Sequence, residues 1–154
     1  MERGMTCSVV DANIAAALVL SLPYSQQAIA HIRNCQINRI RLCAPLIWEY
    51  ELVAVVRKSV YSGMLTPEQG DAALSRLLAL EIERIAPTEA HHRDALRWAT
   101  LLGHVAAYDA QYLALAARLG AELLTTDKRL YTRAREKGLF WVRHILDSGL
   151  ELQQ

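Results

Sequence analysis

Apolar positions along this chain fall into two alternating kinds of run. Short runs at 7–11 ("CSVVD"), 39–45 ("RIRLCAP"), 81–87 ("EIERIAP"), 121–127 ("AELLTTD") and 139–145 ("LFWVRHI") read as strands. Between them lie stretches with helical signals. "NIAAALVLSL" at 13–22 predicts one helix, and Pro23 at a first-turn position opens a second through about Gln36. Leu46 to Tyr61 forms a third, ended by Ser62 and Gly63. Thr66-Pro67-Glu68-Gln69 is a helix start, with Thr as cap and Pro in the first turn, and that helix runs to about Leu80. Thr88 caps a helix through Leu102, "YDAQYLALAARLG" ends at Gly120, and "KRLYTRAREKG" closes at Gly138.

Short strands separated by helices specify a parallel sheet covered on both faces. The expected fold is α/β: a single-domain α/β/α sandwich over residues 1–154, with a mostly parallel five-stranded sheet, a core over about 6–146 and a short C-terminal tail. No repeat, low-complexity segment or linker interrupts it.

Composition changes this picture little. Hydrophobic content of 53% with 21% charged residues is that of a soluble globular protein. The net charge of +1 gives no support to a broad nucleic-acid-coating surface, so any such contact is local. Cys7, Cys35 and Cys43 lack metal-ligand spacing and read as reduced, mostly buried thiols. Residues 12–30 carry no Asp, Glu, Lys or Arg, but their apolar part is far shorter than the about 20 residues of a membrane span. The expectation is a cytoplasmic, unprocessed protein with no membrane contact.

In a doubly wound sheet, ligands bind outside the carboxyl ends of the strands. The first strand ends at Asp11, with Asn13 two residues on, and the fourth ends at Asp127. Asp109 opens an otherwise apolar helix whose next ten residues carry a single charge, Arg118. Taken alone it is a first-turn acid favoured by the helix dipole. After the second strand come two acids, Glu49 and Glu51, and a helical wheel does not choose between them. Carboxylates converging on one rim raise one another's pKa and stay ionised together only around a cation. Oxygen donors without His or Cys select a hard cation, magnesium or manganese. Such an ion polarises a phosphodiester and activates water.

With these acids assembled, the sequence resembles the PIN-domain family, and within it the VapC-like toxins of type II toxin–antitoxin pairs. "VVDAN" resembles the opening motif, a strand ending in Asp with Asn two residues on. "AP" followed by Glu51, apolar residues and Arg57-Lys58 resembles the second, and this resemblance selects Glu51 over Glu49. "AYDAQYLALAARLGAELLTTDKRL" resembles the third and fourth motifs in one stretch. The resemblance implies a PIN-like fold and a Mg2+- or Mn2+-dependent endoribonuclease, with Asp11, Glu51, Asp109 and Asp127 as catalytic and metal-holding acids and Asn13 and Thr125 in supporting positions. It also implies an RNA substrate, a cognate antitoxin and a homodimer. Where family members often carry Asn three residues after the Glu, this chain has Ala54.

Other residues weigh less. Lys128 and Arg129 follow Asp127 directly and either bind RNA beside the ion or sit in solvent. His91 and His92 point about 100° apart on a helix, cannot share a metal and read as surface residues. His104 reads as a loop residue, Arg33, Arg39 and Arg41 as a solvated face, and Trp48, Trp98 and Trp141 as core. A receiver domain requires paired acids after its first strand, and a haloacid-dehalogenase-like phosphatase requires Asp-x-Asp; this chain has neither. The rivals that remain are a PIN fold that binds RNA or a partner without cleaving, and an RNA-processing nuclease outside any toxin pair.

Overall fold

The computed structural model describes residues 6–103 and 105–147. Strand β1 (Cys7–Val10) runs into a short helix α1 (Ala12–Ala16), then α2 (Ser25–Ile37) and β2 (Arg41–Pro45). Helices α3 (Ile47–Tyr61) and α4 (Pro67–Leu78) lead to β3 (Glu83–Ile85). Helices α5 (Glu89–Leu102) and α6 (Ala107–Leu119) lead to β4 (Glu122–Thr125), and α7 (Lys128–Glu136) to β5 (Val142–His144). The five strands are all parallel, in the order β3-β2-β1-β4-β5.

The α/β fold with a five-stranded parallel sheet is therefore as expected. Consecutive residues Val9 and Val10 in β1, and Leu123 and Leu124 in β4, are all fully buried. Neighbours in a strand face opposite sides, so both faces of the sheet are covered. Each such side chain contributes roughly 1.5–3 kcal/mol over its exposed state. From β1 the chain steps outward to β2 and β3, then returns past β1 to β4. Right-handed crossovers put the helices of those two runs on opposite faces. The reversal lies between β1 and β4, the place where such sheets open a crevice at their carboxyl edge.

Local chemistry explains the elements. Thr66 and Gln69 form a reciprocal capping box at the start of α4, and Thr88 caps α5 through the amide of His91. Gly120 ends α6 with φ of 60°, a left-handed conformation that needs no Cβ. The first predicted helix is shorter than expected. Regular helix stops at Ala16, and the amides of Leu18 and Val19 bond three residues back, to Ala15 and Ala16. Pro23 disfavours helical backbone at Leu22, and Ser25 Oγ accepts from the Leu22 amide and donates to the Leu20 carbonyl, locking a turn. The second helix accordingly starts at Ser25, not at Pro23.

Cys7 and Cys43 lie on the adjacent strands β1 and β2, with Cα atoms 6.6 Å apart and their sulfurs facing each other. Sequence spacing could not reveal this pairing because strand pairing creates it. Cys35 is free and buried. Among the described residues no helix is long and apolar enough to cross a membrane.

Candidate active site

Asp11 stands at the end of β1 and caps α1, its Oδ1 accepting from the Ile14 amide at 2.9 Å. Its Oδ2 accepts from Thr125 Oγ1 at 3.0 Å, the Thr126 amide at 2.9 Å and Thr126 Oγ1 at 3.4 Å. These donors come from the end of the neighbouring strand β4, so strand pairing itself fixes the carboxylate. Burial still raises the Asp11 pKa, and the bonds from Thr126, Ile14 and Thr125 oppose that rise.

Thr125 is buried and does two jobs. Its hydroxyl donates to Asp11 and accepts from the Asp127 amide at 3.0 Å. Asp127 in turn caps α7, with Oδ1 accepting from the amides of Arg129 (2.8 Å) and Leu130 (3.1 Å). One hydroxyl thus links the Asp11 carboxylate to the Asp127 backbone across the β1–β4 junction.

Glu51 projects from the second turn of α3, where Tyr112 Oη on α6 donates to its Oε1 at 2.9 Å. Burial raises its pKa to about 7; the Tyr112 bond lowers it, and the charges of Asp109 and Asp11 raise it. Asp109, in the first turn of α6, is likewise raised by burial, then by Asp127 and Asp11. The effect of each acid on another places them within one electrostatic neighbourhood.

These groups line a single cavity of about 90 Å³: Asp11, Asn13, Glu51, Asp109, Thr125 and Asp127, with Tyr112, Thr126, Leu123 and Leu130. Glu49 is elsewhere, paired with Arg84 at 3.2 Å while Arg84 lies over the Trp48 ring. Asn13 is exposed at the cavity, and Asp11 takes its hydrogen bonds from Ile14, Thr125 and Thr126, not from the Asn13 side chain. Lys128 and Arg129 are exposed at the start of α7, beside Asp127 but outside the cavity lining.

Three supporting residues escaped the sequence reading. Tyr112 sits one turn after Asp109 in the otherwise apolar run of α6, and its hydroxyl finds a partner only where α3 packs nearby. Thr126 was visible in "TTD", and a second hydroxyl before the acid was the available signal. His144, at the end of β5, accepts from the Leu146 amide at Nδ1, so its proton is on Nε2, which donates to the Thr126 carbonyl at 3.1 Å. It steadies the segment that holds Asp11. His91 is buried, not on the surface as expected, because α5 packs on α6; burial lowers its pKa. Arg41 pairs with Glu83 at 2.7 Å, and Trp98 meets Trp141 edge-on at 5.7 Å. His104 lies outside the described residues.

The donor set suits a hard cation: four carboxylates, no thiol and no imidazole around a space large enough for an ion and a little water. Among the described residues no three acids, His or Cys stand close enough to form a ready-made ligand cluster. Three of the acids are instead braced separately: Asp11 by Thr125 and Thr126, Glu51 by Tyr112, and Asp127 by the helix amides of α7.

The PIN domain family profile matches residues 8–136. The chain is similar to Ribonuclease VapC3 of Pyrobaculum aerophilum, 32% identical over 127 residues that cover 79% of this chain and 90% of that one. It is similar to Ribonuclease VapC12 of Mycobacterium tuberculosis, 27% identical over 122 residues that cover 79% of this chain and 88% of that one. Its fold is similar to the crystal structure of PAE2754 from Pyrobaculum aerophilum, with TM-score 0.67 and 20% identity, covering 97% of this chain and 92% of that one.

Proposed function

This chain belongs to the PIN domain family, and from that membership we propose that it is an endoribonuclease that hydrolyses RNA phosphodiester bonds with the help of a divalent cation, magnesium or manganese. Asp11, Glu51, Asp109 and Asp127 hold the ion. The observation that carries the reading is the convergence of these four carboxylates, from β1, α3, α6 and the end of β4, on one cavity at the reversal point of the sheet. The ribonuclease names of its relatives support the same reaction class.

When bound, the cation would polarise the scissile phosphodiester and activate a water. The chain's own residues prepare for that. Thr125 and Thr126 fix the Asp11 carboxylate so that little reorganisation accompanies ion binding. Tyr112 engages Oε1 of Glu51 and leaves Oε2 for the cavity. Glu51, raised to about 7, keeps its proton below that pH without an ion and would give it up when a cation arrives. Asn13 stands exposed at the mouth, where its amide can bond the substrate or a water.

The similarity to VapC ribonucleases supports a toxin role with an antitoxin partner, and we propose in addition that the antitoxin covers the site and that the chain is a cytoplasmic homodimer. Lys128 and Arg129, exposed beside Asp127, are the cations nearest in sequence for RNA phosphates.

The test is incubation of the purified chain with total RNA, with EDTA, magnesium or manganese, beside an Asp109→Asn variant. Metal-dependent cleavage lost in the variant establishes reaction and site together. A folded protein that cuts no RNA with either ion would instead be a PIN fold that binds without cleaving.

A further inference from the structure

A groove of about 720 Å³ runs beside the acidic cavity and shares Glu51 and Asp109 with it. Its other lining residues include Pro45, Ala54, Pro87, His92, Tyr50 and Tyr108. No Lys or Arg is among the lining residues, so the groove is not built for phosphates. Tyr50 and Tyr108 are 73% and 69% exposed, far outside the range of core tyrosines.

Their sequence positions are informative. Tyr50 immediately precedes Glu51 on α3, and Tyr108 immediately precedes Asp109 on α6. Adjacent helical residues point about 100° apart. Each helix thus sends a carboxylate into the cavity and an aromatic ring into the groove next to it. A molecule reacting at the cavity therefore has this groove open to its neighbouring part. That part meets aromatic faces, apolar walls and no cation. Gln111 closes one side, its amide 3.2 Å from His92 Nδ1. An amide has a second N–H and a carbonyl left for an edge of the occupant. A flat, uncharged group with a hydrogen-bonding edge, joined to a phosphate, is a nucleobase.

We propose that Tyr50 and Tyr108 wall a nucleobase subsite, which takes an unpaired base adjacent to the phosphodiester at the acidic cavity. The proposal rests on the ribonuclease reading above. Ala54 fits it: a small side chain on the α3 wall leaves room for a ring. Duplex RNA keeps its bases stacked on one another and cannot fill such a subsite.

The test uses the full chain carrying Asp127→Asn, which slows cleavage at a residue outside the groove and keeps a good helix cap. Fluorescence anisotropy with magnesium compares a labelled single-stranded RNA with a duplex of the same sequence. The single strand should bind more tightly. Tyr108→Ala or Tyr50→Ala in the same background should weaken single-strand binding roughly 5- to 100-fold, the range of one base stacked on an aromatic side chain, and leave duplex binding unchanged. Phe at either position should restore binding to within about 2-fold, since stacking needs the ring and not the hydroxyl. Unchanged single-strand affinity in both Ala variants overturns the proposal. So does a change of oligomeric state, by light scattering, without a change in RNA affinity, because the groove is then an interface for another copy. Parallel cleavage assays with Asp127 restored separate the two readings. Stacking-dependent binding without cleavage overturns the nuclease alone, and cleavage with Ala-insensitive binding overturns the subsite alone.

Discussion

Thr125 joins the Asp11 carboxylate and the Asp127 backbone amide through one hydroxyl, so its effect exceeds that of a single hydrogen bond. Thr125→Val keeps the shape and removes a donor to Asp11 and an acceptor for the Asp127 amide. Leaving such buried groups unsatisfied costs about 1–3 kcal/mol. We expect a lower midpoint in urea and a loss of cleavage, with Thr125→Ser recovering most of both. Tyr112→Phe removes the one bond that lowers the Glu51 pKa. That pKa should then rise above about 7. Cleavage that needs the Glu51 carboxylate should show the acid limb of its pH–rate profile at higher pH, and an unmoved limb would detach Glu51 from the reaction. At this scale the sequence exposed the acids but not their braces. Thr126, Tyr112 and His144 became partners only through contacts more than ten residues away in the chain.

Among the elements, the helices were more legible than their ends. Thr66 and Thr88 marked helix starts because a cap is chemistry within one turn. The first helix was overestimated because the Ser25 hydroxyl and Pro23 stop it from beyond its apolar run. One contact between elements was also invisible. Gly70 lies where α4 crosses α3, and a Cβ built there would stand 2.5 Å from Val60 Cγ2. Gly70→Ala adds roughly 1 kcal/mol of helix propensity, but overpacking against a stiff β-branched neighbour costs about 1–3 kcal/mol. We expect a net loss of stability, read as a lower thermal midpoint, and partial recovery in the Gly70→Ala, Val60→Ala double variant. A thermal midpoint raised by Gly70→Ala would mean that Val60 moves aside at no cost.

For the whole molecule, the acidic cavity makes stability depend on pH and on metal together. The Glu51 carboxyl goes from about 4.5 to about 7 on folding. A raised carboxyl favours the folded state fully below its unfolded pKa and loses that contribution as pH climbs through the folded one. Asp11 and Asp109 are raised too. In EDTA the thermal midpoint should therefore fall as pH goes from about 4.5 to about 7. Magnesium or manganese should offset the fall, since a cation favours the ionised acids and binds only the folded state. Glu51→Gln should flatten the EDTA curve. A slope unaltered by either ion would mean that no cation occupies the cavity.

The sequence by itself determined the parallel α/β class and the helix caps, because these depend on periodicity and on neighbours within a turn, and it displayed Asp11, Asp109 and Asp127 as candidate acids. It also held the resemblance that chose Glu51 over Glu49, a choice the helical wheel left open. Only the tertiary structure decided that β1 lies beside β4, that Tyr112 meets Glu51, that His91 is buried and that Cys7 meets Cys43. Each of these is a contact between segments far apart in the chain. Such contacts follow from how the sheet is ordered and how its helices cover it, and no local pattern encodes that order.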